Sequence, residues 1–272
     1  MLNIRPAAVA GSFYPGNPVT LANDIDAMLE DAKQRNPPVH GEPLPKALIV
    51  PHAGYVYSGP VAAGGYLRLR EGAGSIRRVV LLGPVHHVPV PGMALPTASA
   101  FETPLGTVPV DGAASKLLAD LSQVIVSNAA HAQEHSLEVQ LPFLQRVLGE
   151  FSLVPLAVGD CRPDAVAEVL ERLWGGPETI IVISSDLSHY LPYDTARRID
   201  HDTVQTVLDL QILPSHRQAC GATPVNGLII AARKKRLIPR LIDLRNSGDT
   251  AGDRERVVGY ASVALYGEVP HA

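Results

Sequence analysis

Short apolar runs alternate with longer segments of mixed polarity along this chain. The runs over 46–50, 77–83 and 179–184 are rich in β-branched residues and nearly free of polar ones, which suits strands buried on both faces of an α/β sheet rather than amphipathic strands. Further strands are expected near 122–127, 152–158, 239–244 and 257–266. Helices are expected near 60–70, 112–121, 135–148, 164–174, 194–210 and 224–236. Parallel neighbours need crossovers, and crossover helices cover the faces of the sheet. The expected fold is therefore α/β, a single three-layer α/β/α domain over 1–272 with a mixed, mostly parallel central sheet. Only the loop Arg245 to Arg256 separates the last two strands, so they should pair antiparallel at one edge. Gln34 to Pro45, rich in Pro, Lys and Gly, reads as a surface loop.

Each of the first three runs leads into a histidine. The first enters His52, the second His86 and His87, and the third Asp186 and His189. In doubly wound sheets, ligands collect beyond the carboxyl ends of the strands, so four imidazoles and a carboxylate arrive at one edge.

Bulk properties narrow the function classes. A chain of 272 residues can bury one large core. Lys and Arg total 23 against 27 Asp and Glu, for a net charge of -4. The basic run Arg233 to Arg236 falls at the end of an expected helix, where cations suit the carbonyl end of the dipole, so no nucleic-acid partner is expected. No apolar stretch matches a signal peptide or a membrane span, which gives the expectation of a cytoplasmic protein with no membrane partner. Cys161 and Cys220 are expected to be reduced thiols.

Five places carry candidate chemistry. Pro51-His52-Ala53-Gly54-Tyr55 puts an imidazole just after a strand, either facing a ligand or packed under its own loop. His86 and His87 are adjacent and point in different directions, so one metal takes only one of them. Ser184-Ser185-Asp186-Leu187-Ser188-His189 lacks the Gly-flanked elbow of a serine nucleophile. Asp186 and His189 instead suit proton transfer, with the carboxylate fixing the imidazole tautomer. Glu134-His135-Ser136-Leu137-Glu138 opens a helix whose dipole would keep His135 neutral, while Glu134 and Glu138 complement that dipole or do more. Cys220, in Ala219-Cys220-Gly221-Ala222-Thr223-Pro224, precedes a helix, where a thiolate has a depressed pKa and binds metals. Cys161 has no histidine beside it and reads as incidental.

Taken in order, Pro51-His52-Ala53-Gly54-Tyr55, Leu82-Gly83-Pro84-Val85-His86-His87, the Glu134 to Glu138 motif, Ser184-Ser185-Asp186 with His189, and Cys220-Gly221 resemble the Memo family. Ala10-Gly11-Ser12-Phe13-Tyr14 and Gly259-Tyr260-Ala261-Ser262 extend the match to nearly the whole chain. That family includes protein B of the AmmeMemoRadiSam system and is similar in fold to class III extradiol dioxygenases. The resemblance implies metal-ligand positions at His52, His86 and Cys220, choosing His86 over His87, with His135 and His189 at positions that assist proton transfer around bound substrate and oxygen. Cys220 stands where the dioxygenases have a carboxylate, and a soft thiolate shifts preference toward copper, zinc or thiolate-bound iron. Two classes follow: a non-heme oxidoreductase using iron or copper on a small organic substrate or oxygen, or a non-catalytic metal-binding protein working with a radical SAM protein.

Overall fold

The structure is a computed structural model that describes residues 3–39 and 41–267. In chain order it contains β1 (Ile4–Arg5), α1 (Pro18–Arg35), β2 (Ala47–Val50), α2 (Tyr55–Leu67), β3 (Arg78–Pro84), β4 (Met93–Leu95), β5 (Ala100–Thr103), β6 (Gly106–Pro109), α3 (Gly112–Leu117) and β7 (Val124–Val126). There follow α4 (Asn128–Ala132), α5 (His135–Glu138), α6 (Leu141–Leu148), β8 (Ser152–Val158), α7 (Pro163–Leu173), β9 (Thr179–Ser184), β10 (His189–Leu191), α8 (Tyr193–Leu208), α9 (Ala222–Lys235), β11 (Ile238–Asn246) and β12 (Val257–Tyr266).

The large sheet runs β10-β12-β2-β9-β3-β8-β4-β7, with β11 also on β12. Its centre, β2-β9-β3-β8, is parallel, and β12 and β4 join that block antiparallel on its two sides. The pleat divides the core. On β3, Val79 and Leu81 face a cluster shared with α1, α2 and α6, while Val80 and Leu82 face one shared with α3, α7, α8 and α9. Helices thus cover both faces of a mixed sheet, the three-layer α/β/α architecture the patterning predicts. The antiparallel β11–β12 pair is also present.

Three local differences have physical causes. The helix expected over 135–148 is broken into α5 and α6, because Pro142 has no N–H to donate and its ring would strike the carbonyl of residue 138. Helix α1 was not anticipated. Asn17 caps it by accepting from Val19 N–H and Thr20 N–H, Pro18 starts it, and Leu21, Ile25, Leu29 and Ala32 bury one stripe. Each large apolar side chain there contributes about 1.5–3 kcal/mol by burial. Because α1 runs to Arg35, the expected surface loop begins two residues later than Gln34. The small sheet β1-β5-β6 was also not anticipated; its strands are too short for a clear period-2 pattern.

Candidate metal centre

Strands β2, β9 and β3 are parallel neighbours, so their carboxyl ends share one edge, and the residues just beyond deliver His52, Asp186 and His86. His52 is buried, and its backbone N–H donates to Asp186 Oδ1 at 2.7 Å. A chain of directed hydrogen bonds fixes its ring. Tyr66 donates to Gln140 Oε1 at 2.8 Å, and Gln140 Nε2 donates to Pro51 O and to Ser184 Oγ. Ser184 spends its one proton on Ser136 O at 2.6 Å, so toward His52 Nδ1, 2.8 Å away, it can only accept. The proton therefore sits on Nδ1. The lone pair of Nε2 is left free, 3.3 Å from Cys220 Sγ. Burial holds the His52 ring neutral, its pKa pushed down to about 3.

His86 is oriented in the same sense by Glu134. The carboxylate accepts from His86 N–H at 2.6 Å and lies 2.8 Å from His86 Nδ1. Burial opposes ionisation of Glu134, yet the hydrogen bonds from His86 and Ser136 N–H prevail and bring its pKa down to about 2. A carboxylate accepts only, so Nδ1 carries the proton and His86 Nε2 is also a free donor atom. Gly83 lets this assembly close: a Cβ there would lie 2.7 Å from Ser136 Oγ, which donates to Pro84 O.

Cys220 is held against the same strand ends. Its N–H donates to Asp186 O at 3.2 Å, and Asp186 N–H points at its Sγ at 3.3 Å. The expected depression of its pKa is overturned: burial, and next the Asp186 carboxyl, push the thiol up to about 12, outweighing the proximity of α9. A cation beside the sulfur would reverse that balance, since a coordinating thiol is deprotonated outright. One donor atom each from His52, His86 and Cys220 lies within 4.8 Å of the others. His87, by contrast, stays outside that triangle.

His135 stacks on His86 with ring centroids 4.6 Å apart, and the Phe13 ring packs against it at the same distance, tilted by 41°. The His135 pKa is pushed down to about 4, first by burial and then by His52; α5 is a single turn, so the helix dipole invoked from the sequence is not the main cause. Asp186 does not fix the tautomer of His189. That role falls to Leu187 O, 2.8 Å from His189 Nδ1, while the buried Asp186 ties β2 to β9 with its own pKa raised by burial. His52, His86, His135, Asp186 and His189 all line one cleft of about 580 Å³.

A family model described as Memo-like protein matches residues 5–264. The chain belongs to the Memo family. A MEMO1 family protein of Sulfolobus acidocaldarius is 36% identical over 96% of this chain and 98% of its own length. Another, from Methanopyrus kandleri, is 37% identical with the same coverage of both chains. A crystal structure of the uncharacterized protein JW3007 from Escherichia coli K12 superposes with a TM-score of 0.55 at 14% identity, covering 81% of this chain and 99% of that one. At that identity the likeness is one of fold.

Several Memo-family motif residues act through groups that sequence reasoning passed over. Glu134 holds His86, and Gln140 directs the Ser184 relay. Gly259 of the late motif makes room for Asp200 on α8: a Cβ there would lie 2.0 Å from Asp200 Oδ2 and 2.5 Å from its Cγ. Asp200 Oδ1 accepts Ser188 N–H, and Gly259 N–H donates to Ser188 O, so together they pin the turn that carries His189. Gly259→Ala should therefore cost about 1–3 kcal/mol through overpacking, measured as a lowered urea midpoint; a midpoint equal to wild type would show that α8 yields freely. Among the described residues, no helix is long and apolar enough to cross a membrane. The two cysteines are not bonded to each other, and Cys161 rests against the core on the α7 side.

His131, in α4, is buried with Nε2 on Ala94 O and Nδ1 without a partner. Burial pushes its pKa down to about 4 from an ordinary 6.5. The unfolded chain thus binds a proton that the folded one refuses, so this contribution is whole above pH 6.5 and is lost as pH falls toward 4, by ~1.4 kcal/mol per unit. His52 and His135 act with the same sign, while Asp200, raised to about 6 by burial, acts against them. His131→Asn should flatten the slope of unfolding free energy between pH 6.5 and 4 by about one proton relative to wild type. Parallel slopes would reject the assignment.

Proposed function

We propose that His52, His86 and Cys220 hold an iron or copper ion and that the protein is a metal-dependent oxidoreductase acting on a small organic molecule or oxygen. The observation that carries this reading is a three-donor triangle of which His52 and His86 also line an open cleft of about 580 Å³ beside two further histidines, while Cys220 closes the triangle from a neighbouring depression. Cavities of a few hundred Å³ suit small ligands. The donors fit such an ion: two imidazoles present free Nε2 lone pairs because their Nδ1 protons are committed, and a backbone N–H already points at the sulfur. When bound, iron or copper supplies electron transfer and oxygen activation that no side chain of the cleft possesses.

The remaining chemistry belongs to the chain itself. His135, neutral by burial, and His189, whose Nε2 is free once Nδ1 is spent on Leu187 O, accept and return protons beside the substrate. Phe13 and Tyr260 place aromatic rings in the wall of the cleft. His135→Ala and His189→Ala should keep their metal while lowering turnover by about 10²–10⁴. Elemental analysis of the purified variants, with oxygen uptake in the presence of catechol, tests both halves. Metal-free variants would make these histidines ligands. A metal-loaded wild type inert toward substrate and oxygen would favour the second reading, a metal-binding protein that works beside a radical SAM protein.

A further inference from the structure

We infer that the cleft selects an aromatic carboxylate, with Arg256 pairing the anion and the rings of Tyr190 and Tyr57 flanking the aromatic group; this rests on the cleft being a substrate site. Phe13, Tyr57, Tyr190 and Tyr260 line the cleft together with Arg256. Tyr57 is 40% and Tyr190 61% exposed, so two large rings of the lining remain largely accessible to a ligand. Tyr190 holds a left-handed backbone, φ 58°, in the short strand β10. A bulky side chain rarely adopts that conformation, and such strain concentrates at ligand clamps.

The charge at the mouth is similarly unspent. The guanidinium of Arg256 lies 5.2 Å from the Tyr190 ring centroid and makes no ion pair among the described residues. Its neighbour Glu255 makes no ion pair among the described residues, and Asp253, which also lines the cleft, turns Oδ1 onto the N–H groups of Glu255 and Arg256. A planar fork against an aromatic face matches a carboxylate carried on a ring. Asp253 and Asp186 in the same lining leave that guanidinium as the one cationic side chain an anion can meet there, so a second negative charge, as on a phosphate ester, is disfavoured relative to a monocarboxylate.

The test is an NMR titration of the full chain with three near-isosteric planar probes: benzoate, benzamide and benzamidine. Benzoate should bind about tenfold more tightly than benzamide, a modest factor because the pair is partly solvated. Arg256→Gln should abolish that preference, and Arg256→Glu should transfer it to benzamidine. Equal affinities in wild type, a preference unchanged by Arg256→Gln, or tighter binding of phenyl phosphate than of benzoate would each overturn the inference. Metal content of the same samples separates the two levels: a metal-loaded protein without the preference rejects only the aromatic acid. A protein that takes up neither metal nor probe rejects the site itself.

Discussion

Cys220→Ser should lower affinity for a soft ion, copper(I) or zinc, by more than about 100-fold, the upper end of what losing an outer-shell partner costs, whereas Cys161→Ser should leave it unchanged. Cys220 Sγ stands 3.3 Å from the free Nε2 of His52 and receives the N–H of Asp186, so the sulfur completes the triangle. A serine oxygen is harder, shorter in reach and far less acidic. Cys161, its thiol raised to about 11 by burial, belongs to no cluster of candidate ligands among the described residues. Anaerobic competition against a chromogenic chelator gives both numbers, and equal losses in the two variants would mean that the wrong thiol has been assigned.

The largest effect on stability should come from Glu138→Ala. Glu138 is fully buried and collects the Arg5 guanidinium, Tyr14 Oη–H at 2.5 Å, and the N–H groups of Ala8 and Val9 at 2.8 and 3.0 Å. Removing the carboxylate strands a buried guanidinium and frees the segment that lays Phe13 on His135. Breaking a buried pair from one side costs about 3–5 kcal/mol, a large share of the 5–15 kcal/mol typical of a domain. Arg5→Met combined with Glu138→Ala should recover part of the loss. Chemical denaturation of wild type, the single variant and the double variant checks this; a single variant within about 1 kcal/mol of wild type would contradict it.

What the sequence made legible follows from how local each signal is. Strands β2, β3 and β9 are continuous apolar runs, and a parallel sheet puts whatever follows them at a common edge, which is why His52, His86 and His189 could be brought together from the order of residues. Helix α1 was equally local and was passed over, although its buried stripe recurs with helical spacing from Leu21 to Ala32. The rest depended on contacts far apart along the chain. Glu134 looks like any acid in a first helical turn until His86, 48 positions earlier, is seen to donate to it twice. Glu138 looks the same, yet its partner Arg5 is 133 positions away. The direction of the Cys220 shift was misjudged because proximity to a helix start is visible in sequence, while the depth of burial that overrides it is not.

The position of β12 has a consequence for the order in which the molecule can form. Residues 257–266 are synthesised more than 200 residues after β2, yet they fill the place between β11 and β2, with Val263 opposite Ile49 and Leu265 opposite Ala47. Until they arrive, β2 is an open apolar edge, the kind of template other chains can join. Gly259 is also still missing, so of the two contacts that brace the turn carrying His189 only the one from Asp200 is in place. A nascent chain can therefore possess His52, His86 and Cys220 while lacking both the seal on its sheet and part of the support of His189. Closure must then span a contact of more than 200 residues, which makes that step of assembly slow and leaves any chain interrupted before β12 with an open apolar edge along β2.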